Sequence, residues 1–210
     1  MSRKLNKFLA GACLSLFGLS AQAGFLPFGV QTNVDINTVT NTWGWTQCYQ
    51  SAYADIFGTS ASTTLANCTG SYLMLAGREV NSDNLIALAA ALKSDVLLDV
   101  GNGADAHHLA NGSEWYNSDN FSIGFAMGGD STFRNVCDTS AVNGDQRLCW
   151  HTVDNTGGWR VGTNTGLNDS EVFERLAFML DDVSVPEPAT VALLALGLVG
   201  AGLGARRRAS

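Results

Sequence analysis

Three histidines, four cysteines outside the N-terminal stretch and five tryptophans are the side chains here with chemistry to offer. His107 and His108 sit in GNGADAHHLANGS, close to Asp99 and Asp105, and His151 follows Cys149-Trp150. A secreted hydrolase acting on polysaccharide or protein would need a His–Asp pair or converging carboxylates, so Asp105, His107, His108 and His151 are its first candidates. Adjacent strand residues point to opposite faces, which works against His107 and His108 sharing one metal. No metal ligand set is assigned. G-x-S-x-G, H-E-x-x-H, P-loop and dinucleotide glycine signatures are all absent, and the reading is of a non-catalytic protein without a cofactor. A structural calcium is the one ion considered, because Asn33–Asn37 and Asn164–Glu171 offer hard oxygen ligands, although neither matches an EF-hand loop.

Cys48, Cys68, Cys137 and Cys149 form an even set, which in an exported protein points to two disulfides. Three connectivities are possible, and the sequence-local pairing is favoured. Asn143-Gly144 signals a tight turn that would bring Cys137 and Cys149 together in a hairpin. The paired C-x-x-C spacing of a four-thiolate metal site is missing. Among the aromatics, Trp43 and Trp45 flank Gly44 and would share one face of a strand, and Trp115-Tyr116 lies near Asn-rich loops. These four are the candidate glycan-facing residues, against core packing as the commoner use of large aromatics.

The elements that must position these residues read mainly as strands. Gly and Asn pairs punctuate the chain, and between them lie Tyr72–Ala76, Val96–Val100, Phe121–Met127, Leu148–Val153, Trp159–Val161 and Val172–Leu180. Short apolar pieces split by turn signals predict a mainly β domain, an antiparallel β-sandwich or jelly-roll-like fold. At most one or two short helices are expected. Asn84–Lys93 (NLIALAAALK) is the best helix candidate, with Ser82 and Asp83 available as caps. Phe121–Met127 alternates, one face apolar and the other small.

The two ends are of another kind. Arg3, Lys4 and Lys7, an apolar stretch from Phe8 to about Leu19, and Ala21-Gln22-Ala23 make a secretory signal peptide over residues 1–23. Signal peptidase would cut between Ala23 and Gly24, and Cys13 would leave with the signal. At the other end, Ala189 to Ala205 is an uncharged run of 17 residues followed by Arg206, Arg207 and Arg208. As a helix it is long enough for a membrane span, and the arginines keep its end cytoplasmic. Before it, Pro186 and Pro188 resist both helix and strand, holding an extended segment open to an enzyme.

Val185-Pro186-Glu187-Pro188, then an apolar helix, then an arginine cluster resembles a PEP-CTERM sorting signal, here residues 185–210. The resemblance implies processing by an exosortase, an integral-membrane transpeptidase, near Pro186-Glu187-Pro188. It also implies a Gram-negative host that usually makes exopolysaccharide. Within the body, GWTQCYQSAYAD, YLMLAGRE, RLCWHT and GGWR with GTNTGLNDSEVFER resemble an uncharacterised exported bacterial domain, to which no activity attaches.

One body of residues 24–184 remains, long enough for one domain with a real core. It keeps six of the twelve basic residues and eighteen of the nineteen acidic ones, a net of −12 where the whole chain has −7. Such a surface repels nucleic acid. The expectation is an exported cell-surface or matrix protein, transiently in the inner membrane as a precursor and associated with exopolysaccharide or envelope glycans. The alternatives are the hydrolase above and an adhesin that self-associates through strand edges.

Overall fold

A computed structural model describes residues 24–181. The expected signal helix and C-terminal apolar helix lie outside these residues. Within them, strands β1 (Gln31–Asp35), β2 (Thr46–Ala52), β3 (Tyr72–Glu79) and β4 (Asn84–Leu92) come first. Strands β5 (His108–Ala110), β6 (Ser113–Ser118), β7 (Ser122–Met127), β8 (Arg134–Asn135) and β9 (Cys137–Asp138) follow. The last are β10 (Leu148–His151), β11 (Gly158–Val161), β12 (Asn164–Thr165) and β13 (Phe173–Leu180). They make a five-stranded sheet in the order β1-β4-β3-β13-β2, a six-stranded sheet in the order β12-β11-β10-β7-β6-β5, and the small pair β8-β9. Both large sheets are antiparallel, and the described helices are short turns such as Ala61–Thr64 and Lys93–Val96. No helix among the described residues is long and apolar enough to cross a membrane. The mainly β class expected from the turn spacing is the class found.

One core fills the space between the sheets. Leu73, Leu75, Ala87, Ala89, Ala91 and Ala177 from the five-stranded sheet meet Trp115, Ile123, Phe125, Leu148, Trp150 and Val161 from the other. The alanines of β4 leave room for the large aromatics opposite, so the layers interdigitate. The outer face of the five-stranded sheet is covered as well. Met74, Ala76, Leu88, Leu176 and Phe178 pack under Val39 and Trp45, with Leu26 and Ile36 at the margin.

Burial on both faces explains why the helix expected over Asn84–Lys93 is instead strand β4. A strand covered on both sides is apolar at every position and loses the alternation that marks a half-exposed strand. A bulge between Gly77 and Arg78, opposite Ile86, also lets Ile86 and Ala87 both turn towards the core. Val96–Val100 is not a strand either. Lys93–Val96 is a helical turn, and only Asp99 bridges to Asn117.

The cysteines pair Cys48–Cys68 and Cys137–Cys149, with Cα atoms 5.2 and 5.8 Å apart. The hairpin foreseen between the second pair does not form. Asn143, at φ 46°, instead leads into a 3-10 turn at Gly144–Gln146, and β9 pairs with β8 rather than β10. The sheet edges are mostly short: β5 has three residues and β12 two, while β1 is broken by Asn33 at φ 55°. The longest edge, β2, is polar in sequence (TQCYQSA) and faces a bulge at Ala177/Phe178, features that discourage edge pairing.

Because Ala89 is buried between the sheets, replacing it by Leu overpacks the core. Ala89→Leu is expected to destabilise the domain by about 1–3 kcal/mol, read as a lowered urea midpoint at unchanged slope.

Candidate functional site

The outer face of the six-stranded sheet carries most of the polar chemistry. Its strands turn small residues outward. At Gly124 a β-carbon would lie 2.5 Å from the Tyr116 hydroxyl, so only glycine lets that ring lie flat across the sheet. The Tyr116 hydroxyl donates to the Leu148 carbonyl at 2.9 Å. Burial pushes the Tyr116 phenol well above its ordinary pKa, with Asp138 adding to the effect.

Residues 99–106 and 130–143 form a roof over this face, and three buried arginines hold it down. Arg147, fully buried, pairs with Asp138 and with Asp130 (2.8 Å) and donates to the Val142 carbonyl at 2.6 Å. Arg160 donates to the carbonyls of Asp138, Ser140, Gly144 and Gly162. Arg134 reaches the carbonyls of Gly101 and Ala106 and the Ser122 hydroxyl, and its guanidinium lies 4.8 and 4.9 Å from the Tyr116 and Phe121 ring centres. Burial lowers the pKa of Arg134 and Arg160, and nearby acidic or phenolic groups oppose the shift. Guanidinium suits this work because its planar fork satisfies several carbonyls at once.

Beside the roof lies a cleft of about 280 Å³ lined by Asn135, Cys137, Thr139, His151, Trp159 and Asn168. His151 faces it from β10, with Nε2 3.0 Å from Asn168 Oδ1 and Nδ1 3.6 Å from Cys137 Sγ. Burial lowers the His151 pKa; the contact with Asn168 opposes this and the charge of Arg175 adds to it. The Trp159 indole N–H is buried without a hydrogen-bond partner. Between Asn135 and Cys137, Val136 takes φ 74°, a conformation rare for a β-branched residue. The Cys137–Cys149 bridge and the Asp138 carboxylate, which accepts from the Phe133 and Ser140 amides, fix this tight turn at the rim of the cleft.

The three histidines do not converge. His107 joins Asp105 (Nδ1 to Oδ1, 3.3 Å), Glu114 (Nε2 to Oε2, 3.6 Å) and the Thr132 hydroxyl (3.3 Å). Thr132 is only 1% exposed, and with Asp105 and Phe133 it borders a cleft of about 230 Å³. Asp105 and Glu114 also accept the amides of Thr132 and Gly129 at 2.7 and 2.8 Å, which ties the roof loop to β6. His108, the neighbouring residue, is half-buried, with both ring nitrogens buried and unpartnered. His151 lies three strands away from β5, about 14 Å at the usual strand spacing.

The four residues read as glycan-facing lie elsewhere. Trp45, Trp115 and Tyr116 are fully or almost fully buried and present no face to a ligand. Trp43 and Trp45 do not share a strand: Trp43 closes the helical turn Thr38–Thr42 and packs against Phe25, whereas Trp45 enters the core and donates to the Phe25 carbonyl at 2.8 Å. The aromatic that lines the His151 cleft is Trp159, whose neighbour Asn135 was not singled out in the sequence and whose neighbour Asn168 was considered only within the calcium loop Asn164–Glu171. A lone Trp after two glycines carries no pattern that separates it from core tryptophans. In the loops considered for calcium, Asp35 accepts the Asn37 amide, Asn33 accepts from Asn84, and Asn168 holds His151. Among the described residues, no group of three or more His, Cys, Asp and Glu side chains is placed to hold a metal ion.

The processing residues Ala23, Pro186, Glu187, Pro188 and Arg206–Arg208 lie outside the described residues, and Gly24 is the first residue within them. Residues 184–208 match the family model of the PEP-CTERM protein-sorting motif, which marks the chain as an exosortase substrate sorted to the cell surface. No curated protein and no solved structure matches the chain.

Asp138 is buried against Arg147, so Asp138→Asn leaves Arg147 with Asp130 as its carboxylate partner and weakens a buried, charge-assisted hydrogen bond. It should cost about 1–3 kcal/mol, measured by chemical denaturation. The lowered pKa of His151 means that the unfolded chain binds its proton first as pH falls through the ordinary value of 6.5. Stability should therefore decline as pH drops below that value, towards the lower folded pKa. His151→Gln should flatten the decline in melting temperature measured across this window.

Proposed function

We propose that the mature protein is a non-catalytic component of the cell surface or extracellular matrix that binds exopolysaccharide or envelope glycan. The sorting motif at residues 184–208 carries this reading, since it directs the body to the surface where such polymers lie. The cleft at Trp159 is the place on the body suited to a sugar. An aromatic side chain offers an apolar surface to a pyranose ring. Asn135, Thr139 and Asn168 offer donors and acceptors for hydroxyls. A volume of about 280 Å³ is at the small end for ligand clefts, which fits one sugar unit of a chain rather than a buried oligosaccharide. The hydrolase reading has less support among the described residues, because in the hydroxyl–imidazole–carboxylate arrangement Thr132–His107–Glu114 the threonine is almost entirely buried.

The test is affinity chromatography of the secreted mature protein on immobilised exopolysaccharide from its own host. Retention is expected, and Trp159→Ala should weaken it about tenfold, or ~1.4 kcal/mol. Asn135→Ala, on the exposed rim, should weaken it less and without disturbing the fold. No retention of the wild-type protein on that polymer would overturn the reading.

A further inference from the structure

The two ends of the described chain meet. A β-carbon on buried Gly24 would lie 2.5 Å from the Leu180 side chain, and one on Gly70 would lie 2.6 Å from the Leu180 carbonyl. The Phe25 amide donates to the Trp43 carbonyl at 2.9 Å, and the two rings pack tilted at 48° with centres 5.2 Å apart. In register, Leu180 pairs with Tyr72, Tyr72 with Leu92, and Met179 with Thr46. One pole of the sandwich therefore holds the ends of four strands and both points at which the chain leaves the body. Phe25, 52% exposed, and Leu92, 44% exposed, face outward there.

Along the five-stranded sheet, charge divides along the same axis. At the opposite pole the strand ends and their turns carry Asp35, Glu79, Asp83, Asp55 and Glu171, while Arg78 is taken up by Glu174 at 2.5 Å. At the pole of the chain ends stand Lys93, Asp95 and Asp181, nearly balanced. The length of chain beyond Asp181 then limits where this pole can go. Seven residues, 182–188, separate it from the apolar run that starts at Ala189. Fully extended they reach about 25 Å at most.

We propose that this pole is a lipid-facing surface: while residues 189–205 anchor the precursor, the Phe25–Trp43 pair rests in the headgroup region of the bilayer. The proposal depends on the reading of residues 189–205 as a membrane span. Indole and phenyl rings favour the interface between water and hydrocarbon. Anionic lipid repels carboxylates, so an acidic body is best tethered by its least charged end. The arrangement also constrains the order of processing. Gly24 and Phe25 are docked on the body, so signal cleavage after Ala23 needs this segment undocked and precedes its closure over Trp43.

The experiment uses the full-length precursor in phosphatidylcholine–phosphatidylglycerol vesicles with brominated acyl chains. Flotation reports the anchor, and tryptophan quenching reports the pole. The chain should float with quenched emission, and Trp43→Phe should reduce the quenching several-fold, since Trp45, Trp115 and Trp150 are buried in the body. Adding Phe25→Trp to that variant should restore it, which separates lipid contact from a folding defect. A chain that floats with quenching indifferent to Trp43 overturns the proposal. A chain that does not float overturns the span reading, and the proposal with it.

Discussion

Arg147, sealed between Asp130 and Asp138, is the interaction on which the site side of this molecule depends. A sheet whose outer face carries Gly124, Ala126 and Ser122 cannot stand in water as a stable surface without cover. The cover here is loop, and loops bring unpaired carbonyls with them. Arg134, Arg147 and Arg160 answer those carbonyls with a fork of donors each, and a single fully buried carboxylate, Asp138, offsets part of the charge. A lysine would satisfy fewer acceptors and would be more costly to desolvate. The arrangement makes the roof all-or-none: removing one partner leaves a buried charge or a set of orphaned carbonyls, so the loops are held as firmly as strands.

The same principle recurs at the other end of the core. Arg175 donates to the carbonyls of Gly157, Ala52 and Asp55, and lies 5.3 Å from the Phe57 ring centre. It joins the β2 exit to the start of β11, the two sheets meeting through backbone rather than through side-chain ion pairs. Tyr53 continues the link, accepting from the Trp150 indole and donating to the Arg160 carbonyl. The two disulfides add covalent ties at complementary places. Cys48–Cys68 fastens an edge strand to a loop, and Cys137–Cys149 fastens the roof to the sheet. Such ties suit a domain that must persist outside the cell, where thiols oxidise.

The strand-rich class was legible because Gly and Asn mark the turns and because β7 and β13 keep recognisable apolar runs. Strand β4 was not legible as a strand, since burial on both faces erases the period on which the distinction rests. The polar strands β2 (TQCYQSA) and β6 (SEWYNS) were passed over for a related reason: their neighbours, not their own composition, make them strands. Trp115 and Tyr116 looked like a platform because sequence proximity to Asn-rich loops says nothing about the roof that those loops build. The site arginines were silent for the same cause. Their partners are carbonyls, which every residue has, so no spacing of side chains announces them. Only the roof's separation of 12 residues between Cys137 and Cys149 gave a local clue.

The poles and the cleft also fit one geometry. The cleft's His151 borders Gly157, whose position abuts the carbonyls of Tyr53 and Asp55, and Ser170 just beyond Asn168 accepts the Ala54 amide at 3.0 Å. These contacts place the cleft towards the β2 exit, the acidic end, and away from Gly24 and Leu180. A precursor tethered by its neutral pole would therefore hold the cleft outward, facing the polymer layer rather than the lipid. If the cleft binds glycan and the other pole meets lipid, the two use separate ends of one sandwich, and a substitution at either end should leave the other's function intact.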